Sequence, residues 1–324
     1  MSLLVEPNLV TTIIPVFNRP DLVVDAVNSV LAQTHRPIEI LIVDDGSTDA
    51  TPSVLSELSS RYPEVKVFTQ NNSGPGVARE LGRINARGAF IQYLDSDDVL
   101  LATKFSSQVE ALISDSEAHV CYGKTEVIDL GTEPSGKAFR LTGKKIDTMF
   151  PLFLKERWWF TSTPLYRREV TEKIGPWSNE CNEEDWEYDC RIAAEGGRLA
   201  YVDEFVSLHR RHQSHLSNDG TQDINKLKAR AVSRAKIFRH ANRYLENPSR
   251  TSNIDTQDWK FFSDYTFLLA RQCAVAGLTT EARAMLSISI DSLSKKTWQQ
   301  RLFIKLVKVF GWKRAAGLVT KVRG

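Results

Sequence analysis

The chain has 324 residues, 42% of them hydrophobic and 25% charged, with a formal net charge of +2. That length can bury a core as one large domain or two smaller ones, and so small a charge gives no reason to expect nucleic acid or an acidic partner. Cys121, Cys181, Cys190 and Cys273 form no C-x-x-C pair, which argues against a disulfide framework or a zinc site and fits a reducing cytosol.

In chain order, residues 9–16 form a β-branched run ending at Asn18-Arg19-Pro20, and residues 20–32 read as a helix with Leu22, Val23, Ala26, Val27 and Val30 on one face. Residues 37–44 are continuously apolar, as a buried parallel strand is. Ser47 to Asp49 can cap a helix running to Tyr62. A third strand is expected at 65–68, a third helix at 76–87 and a fourth strand at 89–94. This alternation predicts a mostly parallel sheet flanked by helices. After Asp98 the rhythm is irregular, with short strands expected at 118–122, 126–129, 161–166 and 198–202 and helices at 146–155 and 184–194. From Gln222 onward the sequence reads as helical.

Two acidic clusters follow strands: Asp44-Asp45-Gly46-Ser47 after the second and Asp95-Ser96-Asp97-Asp98 after the fourth. In a parallel sheet both lie on the edge where open α/β sheets bind ligands. Asp49 reads as a helix cap. Three carboxylates in four residues repel one another unless something screens them, and a hard divalent ion shared with phosphate oxygens is the natural screen.

Residues 11–51, TTIIPVFNRPDLVVDAVNSVLAQTHRPIEILIVDDGSTDAT, and residues 71–98, NNSGPGVARELGRINARGAFIQYLDSDD, closely resemble the inverting family 2 glycosyltransferases. The resemblance covers about residues 9–217. It implies an α/β GT-A fold, a Rossmann-like mostly parallel sheet flanked by helices, here with a C-terminal helical extension. The expected boundaries are 1–98 for the nucleotide-sugar half, 99–221 for the acceptor half and 222–324 for the extension. By resemblance, Pro15, Val16 and Phe17 wall the base pocket and Asp45 accepts a hydrogen bond from the base, usually uracil. Asp97 binds a divalent metal, Mn or Mg, and Asp95 binds ribose or a metal-bound water. Asp98 is close enough to share either duty. Arg79 sits where the family keeps a polar or basic residue near the donor; a solvated helix arginine is the other reading.

Asn182-Glu183-Glu184-Asp185-Trp186 resembles the family's E-D-W segment, whose Asp takes the proton of the acceptor hydroxyl as it attacks the anomeric carbon. Acidic residues in a first helical turn are also favoured by the helix dipole, and Glu183 and Glu184 read as no more than that. Gly175-Pro176-Trp177 matches a loop that shapes the acceptor pocket. The segment 208–217 resembles a basic loop closing over the diphosphate: His212 matches a metal- or phosphate-contacting histidine, and Arg210 and Arg211 offset charge on the leaving group. Which arginine points inward is open, because the doublet departs from the family pattern. His209 and His215 read as surface histidines.

Residues 226–243 carry seven basic side chains and no acidic one, and residues 298–322 combine Trp298, Phe303, Phe310 and Trp312 with several lysines. Such helices either pack on the protein or lie on an anionic membrane surface. Nothing resembles a nucleic-acid module.

The opening MSLLVEPNLV does not read as a signal peptide, and no apolar run approaches the roughly 20 residues that span a bilayer. The expectation is therefore a cytoplasmic enzyme, peripheral on the cytosolic membrane face if the last helix binds lipid. It would take a sugar from a nucleotide-sugar donor, a UDP-sugar by resemblance, to a glycan or lipid-linked acceptor in bacterial surface polysaccharide or glycoconjugate synthesis. A nucleotidyltransferase would carry a Gly-rich basic loop where Pro15-Val16-Phe17-Asn18-Arg19-Pro20 stands, and a dinucleotide enzyme a G-x-G-x-x-G. A catalytically silent carbohydrate-binding or scaffold subunit is disfavoured by Asp45, Asp97 and Asp185.

Overall fold

The computed structural model describes residues 4–181, 183–212, 223–248, 250 and 252–321. Its first part follows the predicted alternation: β1 (Glu6–Val16), α1 (Pro20–Leu31), β2 (Ile38–Asp44), α2 (Thr51–Arg61), β3 (Val65–Thr69), α3 (Pro75–Asn85) and β4 (Gly88–Tyr93). These strands pair in parallel in the order β3-β2-β1-β4. Every residue of β2, and β1 from Leu9 onward, is buried, as expected of strands covered on both faces. α1 starts on Pro20, whose missing N–H costs nothing in a first turn. It buries Val23, Ala26, Val27 and Val30, one face of a 3.6-residue period. Gly82 brings α3 against β1: a Cβ there would stand 2.3 Å from Ile13 Cγ2.

The sheet continues through β5 (Val99–Leu100), β6 (Val120–Asp129), β7 (Leu165–Arg167) and β8 (Leu199–Arg211) to the order β3-β2-β1-β4-β7-β6-β8-β5. β7 is antiparallel to β4 and β6, and β8 runs parallel to β6. Three expectations are corrected here. The strands predicted at 118–122 and 126–129 are one, β6. β8 runs on to Arg211, so residues 208–211 are strand rather than loop, in register as Val127↔His209, Ile128↔Arg210 and Asp129↔Arg211. α4 (Lys104–Ser114), followed after β7 by α5 (Arg168–Ile174), was not foreseen. Phe105, Val109 and Leu112 have helical spacing, but Lys104 and Gln108 interrupt the stripe. Both are buried: Lys104 Nζ donates to Gln108 Oε1 and to Thr163 O at 2.7 Å each. Burial holds that amine well below the usual lysine range.

Packing divides the chain along lines other than residues 98 and 221. One unit is Met1–Met149, Arg157–Asn179 and Gly197–Gln213; the other is Phe150–Glu156, Glu180–Gly196 and Ser214–Gly324. The second contains α6 (Glu184–Ala194), α7 (Ile224–Glu246), α8 (Thr256–Val275), α9 (Thr279–Asp291) and α10 (Trp298–Lys321). The helix expected at 146–155 is only a short 3-10 turn, Leu152–Leu154. Pro151 lacks the N–H a helix interior needs and disfavours helical geometry at Phe150. α7, α8, α9 and α10 share a core including Leu227, Ala231, Phe267, Ala270, Met285 and Phe303. Asp223 caps α7, and Asp255 with Asp258 forms a capping box on α8. Gly311, at φ 75°, breaks α10.

Cations of the basic helix α7 meet the acidic segment around α6: Arg234 with Glu183, Lys236 with Glu180, His240 with Glu187 and Arg243 with Glu195. For these side chains the packed reading holds.

Candidate active site

The parallel register brings Val16 opposite Asp44, and Leu94 N–H donates to Ile13 O at 3.0 Å, so the carboxyl ends of β1, β2 and β4 form one edge. Asp45, 4% exposed, ties this edge to the loop before α3. Its Oδ1 accepts from Gln70 Nε2 at 2.7 Å and Ser73 N–H at 2.8 Å, and its Oδ2 from Gly74 N–H at 2.8 Å. A carboxylate offers about four lone-pair sites, so these three donors leave one on Oδ2. Gly46 is at φ 77°, and a Cβ there would stand 2.9 Å from Asn72 N; only glycine allows so close a backbone approach. Across the edge, Asn18 N–H donates to Ser47 Oγ at 2.9 Å and Thr48 N–H to Asn18 Oδ1 at 2.8 Å. Pro15 and Val16 are buried beside this clasp and Phe17 is 39% exposed.

At the end of β4 each crowded carboxylate has its own basic partner. Asp95 pairs with Arg79 Nη2 at 2.7 Å, and Arg79 is buried with its guanidinium 4.8 Å from the Trp177 ring. The solvated reading of Arg79 is therefore overturned. Asp97 Oδ2 takes Arg19 Nη1 at 2.5 Å and His212 Nε2 at 2.9 Å. Burial pushes the Asp97 carboxyl up, but the Arg19 charge and the His212 hydrogen bond outweigh it and hold it below the usual range. Asp98 is fully buried: its Oδ2 accepts from Ser162 Oγ at 2.7 Å, and its Oδ1 from Arg210 N–H at 3.2 Å with His209 Nδ1 2.9 Å away. Burial raises the Asp98 carboxyl. His209 is lowered by burial, but Asp98 more than reverses this. The protein itself thus screens the acidic cluster, and crowding alone does not demand a metal ion.

Strand alternation on β8 resolves the arginine doublet. Arg210 is 7% exposed, donating through Nε to Asp97 O at 2.6 Å and through Nη1 to Asp25 Oδ2 at 2.6 Å. Arg211 points outward to Asp129 at 2.9 Å. His209 is not a surface histidine; it faces Asp98 and stacks on Phe160 with centroids 3.7 Å apart. His215, with the rest of 213–217, lies outside the described residues, as does Asn182. Sequence reasoning gave no role to Arg19, Asp25, Phe160 or Ser162. Arg19 had a signal, a basic residue at the turn out of β1, whereas the other three are brought in by tertiary packing.

Asp185 belongs to the second unit, in the first turn of α6, with Oδ1 accepting from Trp186 N–H at 2.7 Å.

A divalent ion fits the donors at the end of β4. Asp97 Oδ2 and His212 Nε2, a carboxylate and an imidazole, stand 2.9 Å apart. Among the described residues no three His, Cys, Asp or Glu side chains are placed to close a cage. Two protein ligands suit an ion that keeps water and substrate phosphate oxygens around it.

The glycosyl transferase family 2 model matches residues 11–175, about half of the chain. An uncharacterized glycosyltransferase of Rickettsia conorii is 45% identical over 101 residues, 31% of this chain but only 17% of that protein. An uncharacterized glycosyltransferase of Nostoc sp. is 31% identical over 231 residues, 68% of this chain and 71% of that one. Among solved structures, S. aureus TarS 1-349 in complex with UDP superposes with a TM-score of 0.67 at 16% identity, covering 97% of this chain and 91% of that one; TarS is also solved with UDP-GlcNAc. The mannosyltransferase PcManGT from Pyrobaculum calidifontis, in complex with GDP-Man and Mn2+, gives 0.52 at 15% identity over 97% and 86%. The architecture is that of the GT-A glycosyltransferases, and the chain belongs to glycosyl transferase family 2.

Proposed function

We propose that the protein is an inverting, divalent-metal-dependent hexosyltransferase. It moves a sugar from a nucleoside-diphosphate sugar, a UDP-sugar, to a hydroxyl of a glycan or lipid-linked acceptor in bacterial surface polysaccharide or glycoconjugate assembly. The observation that carries the reading is the contact of Asp97 Oδ2 with His212 Nε2 at 2.9 Å beyond the end of β4, on the same sheet edge as Asp45. TarS with UDP and UDP-GlcNAc, and PcManGT with GDP-Man and Mn2+, support a nucleotide-sugar donor and a metal.

In this reading Pro15, Val16 and Phe17 wall the base, and the remaining acceptor site of Asp45 receives its N–H. Asp97 and His212 hold Mn or Mg, with Asp95 on the ribose or a metal-bound water; the ion supplies positive charge beside the diphosphate. Arg19 exchanges Asp97 for phosphate oxygens. Arg79 holds Asp95 in place, and Arg210, the inward member of the doublet, adds positive potential beside the leaving group, a role the outward Arg211 does not share. Asp185 takes the acceptor proton as the oxygen attacks opposite the departing nucleotide.

No described helix is long and apolar enough to cross a membrane. α10 instead exposes Trp298, Arg301, Lys305, Lys308, Val309 and Phe310, and no acidic residue follows Asp291. This suits peripheral contact with an anionic cytosolic membrane face.

The deciding experiment is a thermal-shift screen of UDP- and GDP-sugars with and without Mn. A donor at a hundred times its dissociation constant stabilises by about 2.7 kcal/mol. No metal-dependent stabilisation by any of them refutes the reading.

A further inference from the structure

Glu184, Asp185 and Glu187 share the first turn of α6. The helix dipole favours them there, but they repel one another. The helix also lacks a side-chain cap of its own, since Glu183 at the N-cap makes no side-chain bond to that turn. Glu183 is held by α7 instead. Its backbone N–H donates to Ser233 Oγ at 3.4 Å, and its Oε1 accepts from Arg234 Nη2 at 3.1 Å.

Arg234 is 1% exposed, an unusual place for a guanidinium. It lies between two rings, 4.0 Å from the centroid of Trp186 and 4.5 Å from that of Tyr265. Both ring faces attract the cation and its planar fork meets Glu183, so the side chain has one well-defined position. Trp186 is fastened at its far end, its indole N–H donating to Phe153 O at 2.9 Å. One arginine therefore grips the residues on either side of Glu184-Asp185: Glu183 by its carboxylate and Trp186 by its ring.

We propose that Arg234 is a positioning residue for transfer: it fixes the first turn of α6, and with it Asp185, in one geometry. The C-terminal helices are then part of the catalytic apparatus. The proposal rests on the reading of Asp185 as the base, and it explains why a long, otherwise solvent-seeking side chain is buried against an uncapped helix start. Displacing a reacting group by about 1 Å costs on the order of 10²-fold in rate.

The test uses full-length R234M, R234K, D185N and a control, R271M. Arg271 is another buried arginine of the helical unit, 5.2 Å from the Phe267 ring, so R271M reports the general effect of losing one. Hydrogen exchange needs no substrate. Peptides covering residues 184–188 are expected to exchange at least about tenfold faster in R234M than in wild type, and at the wild-type rate in R271M. R234K keeps the charge without the planar fork; it exchanges faster too and serves if R234M does not fold. With UDP-GlcNAc and Mn as probe, kcat for UDP release falls about 10- to 100-fold in R234M while donor KM stays within about twofold, and R271M is near wild type. Unchanged exchange in both Arg234 variants, or equal acceleration in R271M, overturns the proposal. If D185N releases UDP at the wild-type rate while R234M loosens the turn, the base reading fails and the clamp remains.

Discussion

Asp98→Ala tests whether β8, the strand leading to His212, is anchored at the end of β4. The carboxylate is fully buried and serves three groups: Ser162 Oγ, the Arg210 N–H and His209 Nδ1. Alanine leaves the Ser162 hydroxyl and the Arg210 amide without that acceptor, at about 1–3 kcal/mol each, and removes the carboxylate that His209 faces. The Ser162 hydroxyl can turn to another acceptor and recovers part of its share. The expected loss is therefore about 2–5 kcal/mol, a large fraction of the roughly 5–15 kcal/mol that holds a protein folded. Asp98→Asn separates hydrogen bonding from charge. Its oxygen can stand where Oδ1 does, its NH2 faces Ser162, and that hydroxyl can turn to accept. Only charge assistance is lost, about 1–2 kcal/mol. Urea unfolding measures both variants against wild type, and calorimetric titration with UDP and Mn follows on those that fold. Alanine and asparagine losses that coincide, or an alanine loss below about 1 kcal/mol, would refute the anchoring argument.

Asp97→Ala removes the carboxylate shared by Arg19 and His212, and the Mn-dependent part of UDP affinity is expected to vanish; an unchanged metal-dependent affinity by calorimetry sinks the assignment. Asp185→Asn is expected to keep donor binding and slow transfer by roughly 10²–10⁴, and a variant retaining most of its rate sends the base role to Glu183 or Glu184. Glu39, buried under Thr11, Lys66 and Arg87, has burial raising its carboxyl but these donors lowering it further, to a net value below the usual range. Its contribution is therefore present above the unfolded pKa and lost as pH falls through the lower folded value. Glu39→Gln should cost about 1–3 kcal/mol at pH 7, Lys66 and Arg87 being free to turn to water, and the gap to wild type should close in acid; a gap that widens there contradicts the sign. Full-length protein should co-sediment with anionic but not neutral vesicles, less so at high salt, and indifference to both makes α10 a structural helix.

The sequence by itself determined the β1–β4 scaffold, because continuous apolar runs and one-faced helices have no other way to bury their side chains. It also determined that the acidic clusters face one edge, since parallel strands ending in Asp45 and Asp95 must share it, and α6 with its acidic first turn. Pro151 was a signal that the helix expected at 146–155 would fail, and the stripe of α4 was readable once Lys104 and Gln108 are allowed inside. The remainder depended on tertiary pairing. Whether residues 208–211 form loop or strand was decided by β6 alongside them, and that register turned Arg210 in and Arg211 out. Asp98 is met by Ser162, 64 residues away in sequence, and by His209, and Asp97 by Arg19 and His212. A single sequence records the charge of such residues but not the partner that neutralises it. The partner is set by which distant segments the sheet and helices bring within about 3 Å, the reach of a hydrogen bond.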